Sequence, residues 1–214
     1  MTRVSCAILF VILFAFTWTS RAQTASWTPL APALFPTNVS GQIHGISRIS
    51  QMKFHPSNSS KLYAVSARGG LFISSNGGTS WSLAPGCDAM PNGTRLASVC
   101  IDHTNDQVLY LGGGDANYYS TGSGVWKSTN GGTTFSQTGL TSGVVVELLM
   151  DPTNNNILVA ATSNGIYKTT NGGTNWTLKS GTMAFYDLVK KANASSRVLF
   201  ATGANTLWRS TDFG

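Results

Sequence analysis

Four polar residues stand at the same distance ahead of four turns. Gln51, Ser98, Glu147 and Asp187 each precede a turn residue (Pro56, His103, Pro152 and Ala192) by five positions, in otherwise apolar stretches. Glu147 is the only glutamate in the chain. Two carboxylates that flank a glycosidic bond hydrolyse it, one as the acid and the other as base or nucleophile. Glu147 and Asp187 are therefore the candidate catalytic residues. The alternative reading of the same column is the solvated wall of a channel.

A second constellation is suited to binding. Asp115-Ala116-Asn117-Tyr118-Tyr119 places two aromatic rings beside an acid and an amide, and Arg68 occupies the corresponding place one period earlier. Aromatic faces give contact area at low entropy cost, and amides and carboxylates orient a ligand. Arg68, Asp115, Tyr118 and Tyr119 are the candidate ligand-binding residues for a glycan or an extracellular protein. No metal site is expected, because His44, His55 and His103 have no ligand spacing. No cofactor is expected either: Gly112-Gly113-Gly114 lacks the Lys-Ser/Thr of a phosphate loop.

The elements that must hold these residues are announced by an octet. It reads SSNGGTSW at 74–81, STNGGTTF at 128–135 and TTNGGTNW at 169–176, and it begins again as STDFG at 210–214. The recurring positions are Ser74, Asn76, Gly78 and Trp81; Ser128, Asn130, Gly132 and Phe135; Thr169, Asn171, Gly173 and Trp176; and Ser210, Asp212 and Gly214. Asn-Gly between β-prone flanks predicts a tight hairpin in which both residues tolerate positive φ. The aromatic is expected to begin the return strand and to clamp the turn. The short Asn or Asp side chain accepts hydrogen bonds from the turn itself, which makes each octet a staple rather than a binding site. A calcium loop is not supported, since no octet has the required acidic count.

Octet starts are separated by 54, 41 and 41 residues. A period near 40–45 is what a four-stranded propeller blade needs. Each period also carries an apolar strand, a polar turn and a second β-branched strand, and no helical periodicity appears beyond the first 22 residues. The expected fold is all-β: a β-propeller of four-stranded antiparallel blades, about four present, with the ring incomplete. The second blade carries two insertions, around 82–97 and 112–123. Alternate loops of an up-and-down blade share a face, so both insertions fall on the face opposite the octets.

The octets resemble the Asp-box, or BNR, repeat of sialidases, sortilin-type receptors and xyloglucan-hydrolysing propellers, over nearly all of residues 27–214. That resemblance implies a propeller with its boxes at the outer rim, away from any active site, and function in the loops of the other face. Sialidases carry an Arg-Ile-Pro signature, whereas this chain has Arg48-Ile49-Ser50. Xyloglucan-hydrolysing propellers have a stretch similar to Tyr63-Ala64-Val65-Ser66-Ala67-Arg68-Gly69-Gly70, and Ala67 stands where theirs has a catalytic Asp. The expected role is a binding or scaffold module, the alternative a glycoside hydrolase active only in a longer protein.

Residues 1–22 have the pattern of a secretory signal peptide: Arg3, the apolar run Ala7–Phe16, and small residues at Ser20 and Ala22. Domain organisation is then 1–22 signal and 23–214 the N-terminal portion of a propeller, with remaining blades supplied by further C-terminal sequence. The protein is expected to be secreted or at the cell surface, with no membrane partner after cleavage. Without Arg3 and Arg21 the formal charge of +6 falls to +4. Its scatter argues against a nucleic-acid partner. Cys87 and Cys100 remain, and an even count in an exported chain points to one disulfide, with two free thiols the alternative.

Overall fold

The structure, a computed structural model, describes residues 48–90, 95–117, 122–192 and 195–214. Expectations for the signal peptide and for Tyr118 and Tyr119 lie outside these residues.

Each period folds as one antiparallel sheet whose strands pair in chain order. The first blade is β1 (Ile49–His55), β2 (Asn58–Ser66), β3 (Gly70–Ser74) and β4 (Ser82–Leu83). The second is β5 (Leu96–Ile101), β6 (Leu109–Gly113), β7 (Val125–Ser128) and β8 (Ser136–Gln137). The third is β9 (Val145–Asp151), β10 (Asn154–Thr162), β11 (Gly165–Thr169) and β12 (Thr177–Leu178). The fourth has three strands, β13 (Phe185–Lys190), β14 (Leu199–Gly203) and β15 (Thr206–Ser210). Successive sheets pack face to face, and the ring is not closed.

Three cores lie between the four sheets. Tyr63, Val65 and Leu71 meet Val99, Leu109, Leu111 and Trp126 between the first and second. Tyr110 and Val125 meet Leu148, Leu158 and Ala160 between the second and third. Val159 and Ala161 meet Phe185, Leu188, Leu199 and Ala201 between the third and fourth. A middle strand such as β6 therefore sends Leu109 and Leu111 one way and Tyr110 the other. Side chains alternate with period two, so a strand covered on both faces reads as an unbroken apolar run. Each such side chain contributes about 1.5–3 kcal/mol on burial. The outermost faces of the arc leave apolar side chains exposed, Phe54 by 60% on β1 and Leu207 by 72% on β15.

The octets form one recurring turn, with two corrections. Positive φ falls on the two glycines, Gly77 (69°) and Gly78 (90°), with the same pattern at Gly131 and Gly132 and at Gly172 and Gly173; the asparagine keeps negative φ. The connection is thus longer than a two-residue hairpin. The aromatic precedes the return strand rather than starting it, and that strand is only two residues long in each of the first three blades. Within the turn the buried Ser74 hydroxyl donates to Asn76 Oδ1 (3.0 Å) and accepts from Gly78 N (2.9 Å), while Asn76 Oδ1 accepts from Ser80 N (2.9 Å). Ser128 and Asn130 repeat this, as do Thr169 and Asn171. Ser210 donates to Asp212 Oδ1 (2.8 Å) and accepts from Gly214 N (2.7 Å).

The octet glycine carbonyls are engaged by the preceding blade. Gly132 O accepts from Gly86 N (3.0 Å) and Gly173 O from Gly139 N (2.9 Å). Gly172 O accepts from Tyr110 Oη (3.1 Å) and Lys127 Nζ (3.2 Å), and Gly214 O from Lys168 Nζ (2.5 Å). The aromatic rings follow: Phe135 packs into the core between the first and second sheets, Trp176 into that between the second and third.

The expected disulfide is not formed. Cys87 and Cys100 are both free, buried thiols. The reason is strand parity: Val99 and Ile101 face the first blade, where Cys87 sits, so Cys100 between them faces the third. Burial pushes each thiol up to about 12. Alkylation of the native protein at neutral pH should leave both unmodified, and denaturant should expose both. Peptide mapping that finds either one labelled in the folded protein would contradict this placement.

Candidate functional site

The polar column has a backbone cause. In every inner strand the register slips by one residue just ahead of the column: pairing skips Ser50 before Gln51, Ala97 before Ser98, Val146 before Glu147 and Tyr186 before Asp187. A bulge of this kind bends the strand and re-aims the side chain that follows.

The column joins blades rather than forming a carboxylate pair. Gln51 Nε2 donates to Glu147 Oε2 (2.5 Å), and Gln51 Oε1 accepts from Val99 N (2.9 Å), so one side chain of the first blade ties to the second and third. Lys53 Nζ lies 3.2 Å from Glu147 Oε1. Ser98 Oγ donates to Val145 O (2.7 Å). Burial pushes the Glu147 carboxyl above the usual glutamate range, while Lys53, Gln51 and the Leu148 backbone pull it back. Asp187 is exposed and accepts from its neighbour Leu188 N (2.9 Å). Among the described residues no hydrogen bond or ion pair joins Asp187 to Glu147. The two carboxylates therefore do not form the expected catalytic pair: one is bound into a three-blade tether and the other faces solvent.

Opposite the octets, the two insertions of the second blade leave its paired strands β5 and β6 side by side. Gly114 N donates to Arg95 O (2.8 Å), which extends the β5–β6 ladder by one rung to the base of both insertions. Asp115 follows, with its side chain almost wholly buried. Its carboxylate pairs with Arg48 and accepts from Asn117 N (3.0 Å). Arg48 O in turn accepts from Ala67 N (3.1 Å), which brings the exposed Arg68 to the same rim. Asp115 is thus committed to Arg48 instead of standing free beside Arg68. Of the ligand-binding candidates among the described residues, Arg68 is the one that stays exposed.

The opposite face holds two buried aspartates that sequence reasoning missed. Asp102 Oδ1 accepts from Thr104 N and Oγ1 (both 2.8 Å), and Asp102 Oδ2 accepts from Asn155 Nδ2 of the next blade (3.0 Å). Asp151 repeats the arrangement with Thr153 N (2.8 Å) and Oγ1 (2.7 Å) and with Arg197 of the next blade (2.8 Å). The repeated Asp-x-Thr-Asn at 102–105 and 151–154 was the available signal. Among the described residues no group of three His, Cys, Asp or Glu is placed to hold a metal ion, and no helix is long and apolar enough to cross a membrane.

No protein-family profile matches the chain, and no curated protein does. Solved structures do. A GH74 enzyme from Niastella koreensis superposes with a TM-score of 0.59 at 24% identity, over 79% of this chain and 29% of that one. The GH74 xyloglucanase from Xanthomonas campestris gives 0.58 at 18%, over 77% and 29%. YCF48 bound to D1 peptide gives 0.53 at 19%, over 83% and 54%. The chain spans less than a third of the length of those GH74 enzymes and about half of YCF48. Together with the four packed sheets, these likenesses define a β-propeller.

Proposed function

We propose that the chain is an Asp-box propeller module that binds a glycan or protein ligand on the face opposite its octets, in an exported protein. One observation carries this reading. The two longest connections leave adjacent paired strands on that face, with Arg68 exposed on the same rim, while octet polar atoms on the other face are engaged by the fold itself. The peptide held by YCF48 supports a binding role for the architecture. The GH74 likeness favours a second reading, a glycoside hydrolase. That reading lacks an assembled carboxylate pair among the described residues.

The test is retention of the chain on arrays of xyloglucan oligosaccharides and synthetic peptides, with reducing ends measured in parallel. The binding reading expects retention without product. Arg68→Glu, and separately the double change of Tyr118 and Tyr119 to Ser, should each lower retention at least about tenfold without lowering Tm. Unchanged retention of both variants, on a probe the parent binds, would end the assignment of this face. New reducing ends would move the conclusion to the hydrolase.

A further inference from the structure

An asparagine followed by glycine is the dipeptide most prone to lose its side-chain amide. The glycine nitrogen, unshielded by any Cβ, attacks Asn Cγ. A C–N bond forms, ammonia leaves, and water opens the cyclic imide to aspartate or isoaspartate. Three octets carry this dipeptide: Asn76-Gly77, Asn130-Gly131 and Asn171-Gly172.

The fold holds both reacting groups. The nucleophile is tied down, since Gly77 N donates to Ser60 O (2.8 Å), Gly131 N to Gln107 O (2.9 Å) and Gly172 N to Asn156 O (2.9 Å). The electrophile is fixed as well. Each Asn Oδ1 accepts the hydroxyl of Ser74, Ser128 or Thr169 and the amide of Ser80, Thr134 or Asn175. Asn76 Nδ2 and Asn130 Nδ2 donate to Ser80 Oγ (2.8 Å) and Thr134 Oγ1 (2.9 Å). Donors on Oδ1 polarise the carbonyl and favour attack. Attack still requires the glycine nitrogen to release its own hydrogen bond and the carboxamide to turn toward it, which means opening the turn.

A second observation concerns the product. The fourth octet has Asp212 in the asparagine's place, and Ser210 makes the same bonds to it and to Gly214. An aspartate is therefore already compatible with the turn. An isoaspartate, which adds a methylene to the backbone, breaks the spacing between the Ser/Thr hydroxyl and the glycine amide.

We propose that Asn76, Asn130 and Asn171 are gated deamidation sites, silent while their own blade is closed and converted when it opens. Local opening free energies differ across a structure, so each site reports on its own blade.

The experiment incubates the full chain at mildly alkaline pH, native and in urea, and follows each asparagine by peptide mapping that separates aspartate from isoaspartate. Conversion at the three sites should be at least about tenfold slower in the native protein, the minimum a real opening barrier implies. Equal rates with and without urea would overturn the proposal. In Ser74→Ala, which loses the hydroxyl that holds Asn76, conversion at Asn76 should rise relative to Asn130 and Asn171 in the same molecule. A folded variant with no such rise would remove the hydroxyl from the gate. Should the variant not fold, the comparison on the unaltered chain decides alone.

Discussion

Replacing Asp151 by alanine is expected to lower the unfolding free energy by about 2–3 kcal/mol, the cost of leaving the donors to a buried carboxylate without their acceptor. The Asp151 side chain is 0% exposed and accepts bonds from Thr153 N, Thr153 Oγ1 and Arg197. Without the carboxylate, two Thr153 donors are left inside the turn. Arg197 retains contact with water, which places the expected value near the lower end of that range. The pH dependence follows from the carboxyl's own titration. Burial works to raise it, but Thr153 and Arg197 outweigh burial and hold it below the usual aspartate range. A depressed acid contributes stability that is present above its unfolded value, near 3.9, and is lost as pH falls through the folded value. The part of the gap that this titration carries should therefore be present at neutral pH and be lost as pH falls below about 4. Urea unfolding of both proteins at neutral and acidic pH measures it, and a gap that does not depend on pH would contradict the charge-pair account.

Trp176→Ala should cost about 3 kcal/mol, the low end for a large-to-small change because the ring is only partly buried. The indole packs against the core between the second and third blades, and its Nε1 donates to Gly173 O (3.1 Å) and Thr138 Oγ1 (3.3 Å). Asn171→Ala in the same octet should cost less, roughly 1–2 kcal/mol, because it removes turn hydrogen bonds and little apolar contact. Equilibrium denaturation checks the order. A Trp176 variant as stable as the parent would show that the octet is not a clamp between blades.

The blades were legible because their signals are local. The octet places a buried hydroxyl, an amide acceptor and two positive-φ glycines within a few residues, so spacing in the sequence was spacing in the turn. The alternation in ILVAA or LYLGG was equally readable. It also contained the answer for the cysteines: Val99 and Ile101 bracket Cys100, and the parity that sends them toward the first blade sends Cys100 away from Cys87. What was not legible depends on other blades. The bulges fall at Ser50, Ala97, Val146 and Tyr186, which share no chemistry, so no residue type announces them. Gln51 and Lys53 reach Glu147 across a whole intervening blade, and Arg48 reaches Asp115 by curvature that no spacing records. The candidate site was thus half readable: the placement of its loops followed from strand order, and the pairing of its charges was set by tertiary contacts.

The octet carbonyls share one direction. Gly86, Tyr110, Lys127, Gly139 and Lys168 all precede the octet whose oxygen they engage. During synthesis a ribosome releases the donor before the acceptor every time. An emerging octet would then find the donors for its carbonyls already released, an order suited to growth from the amino end. Circular permutation would reverse that order for the blades moved across the new start. The same final contacts would then form in a sequence in which an octet waits, with its carbonyl unmatched, for a donor still inside the exit tunnel.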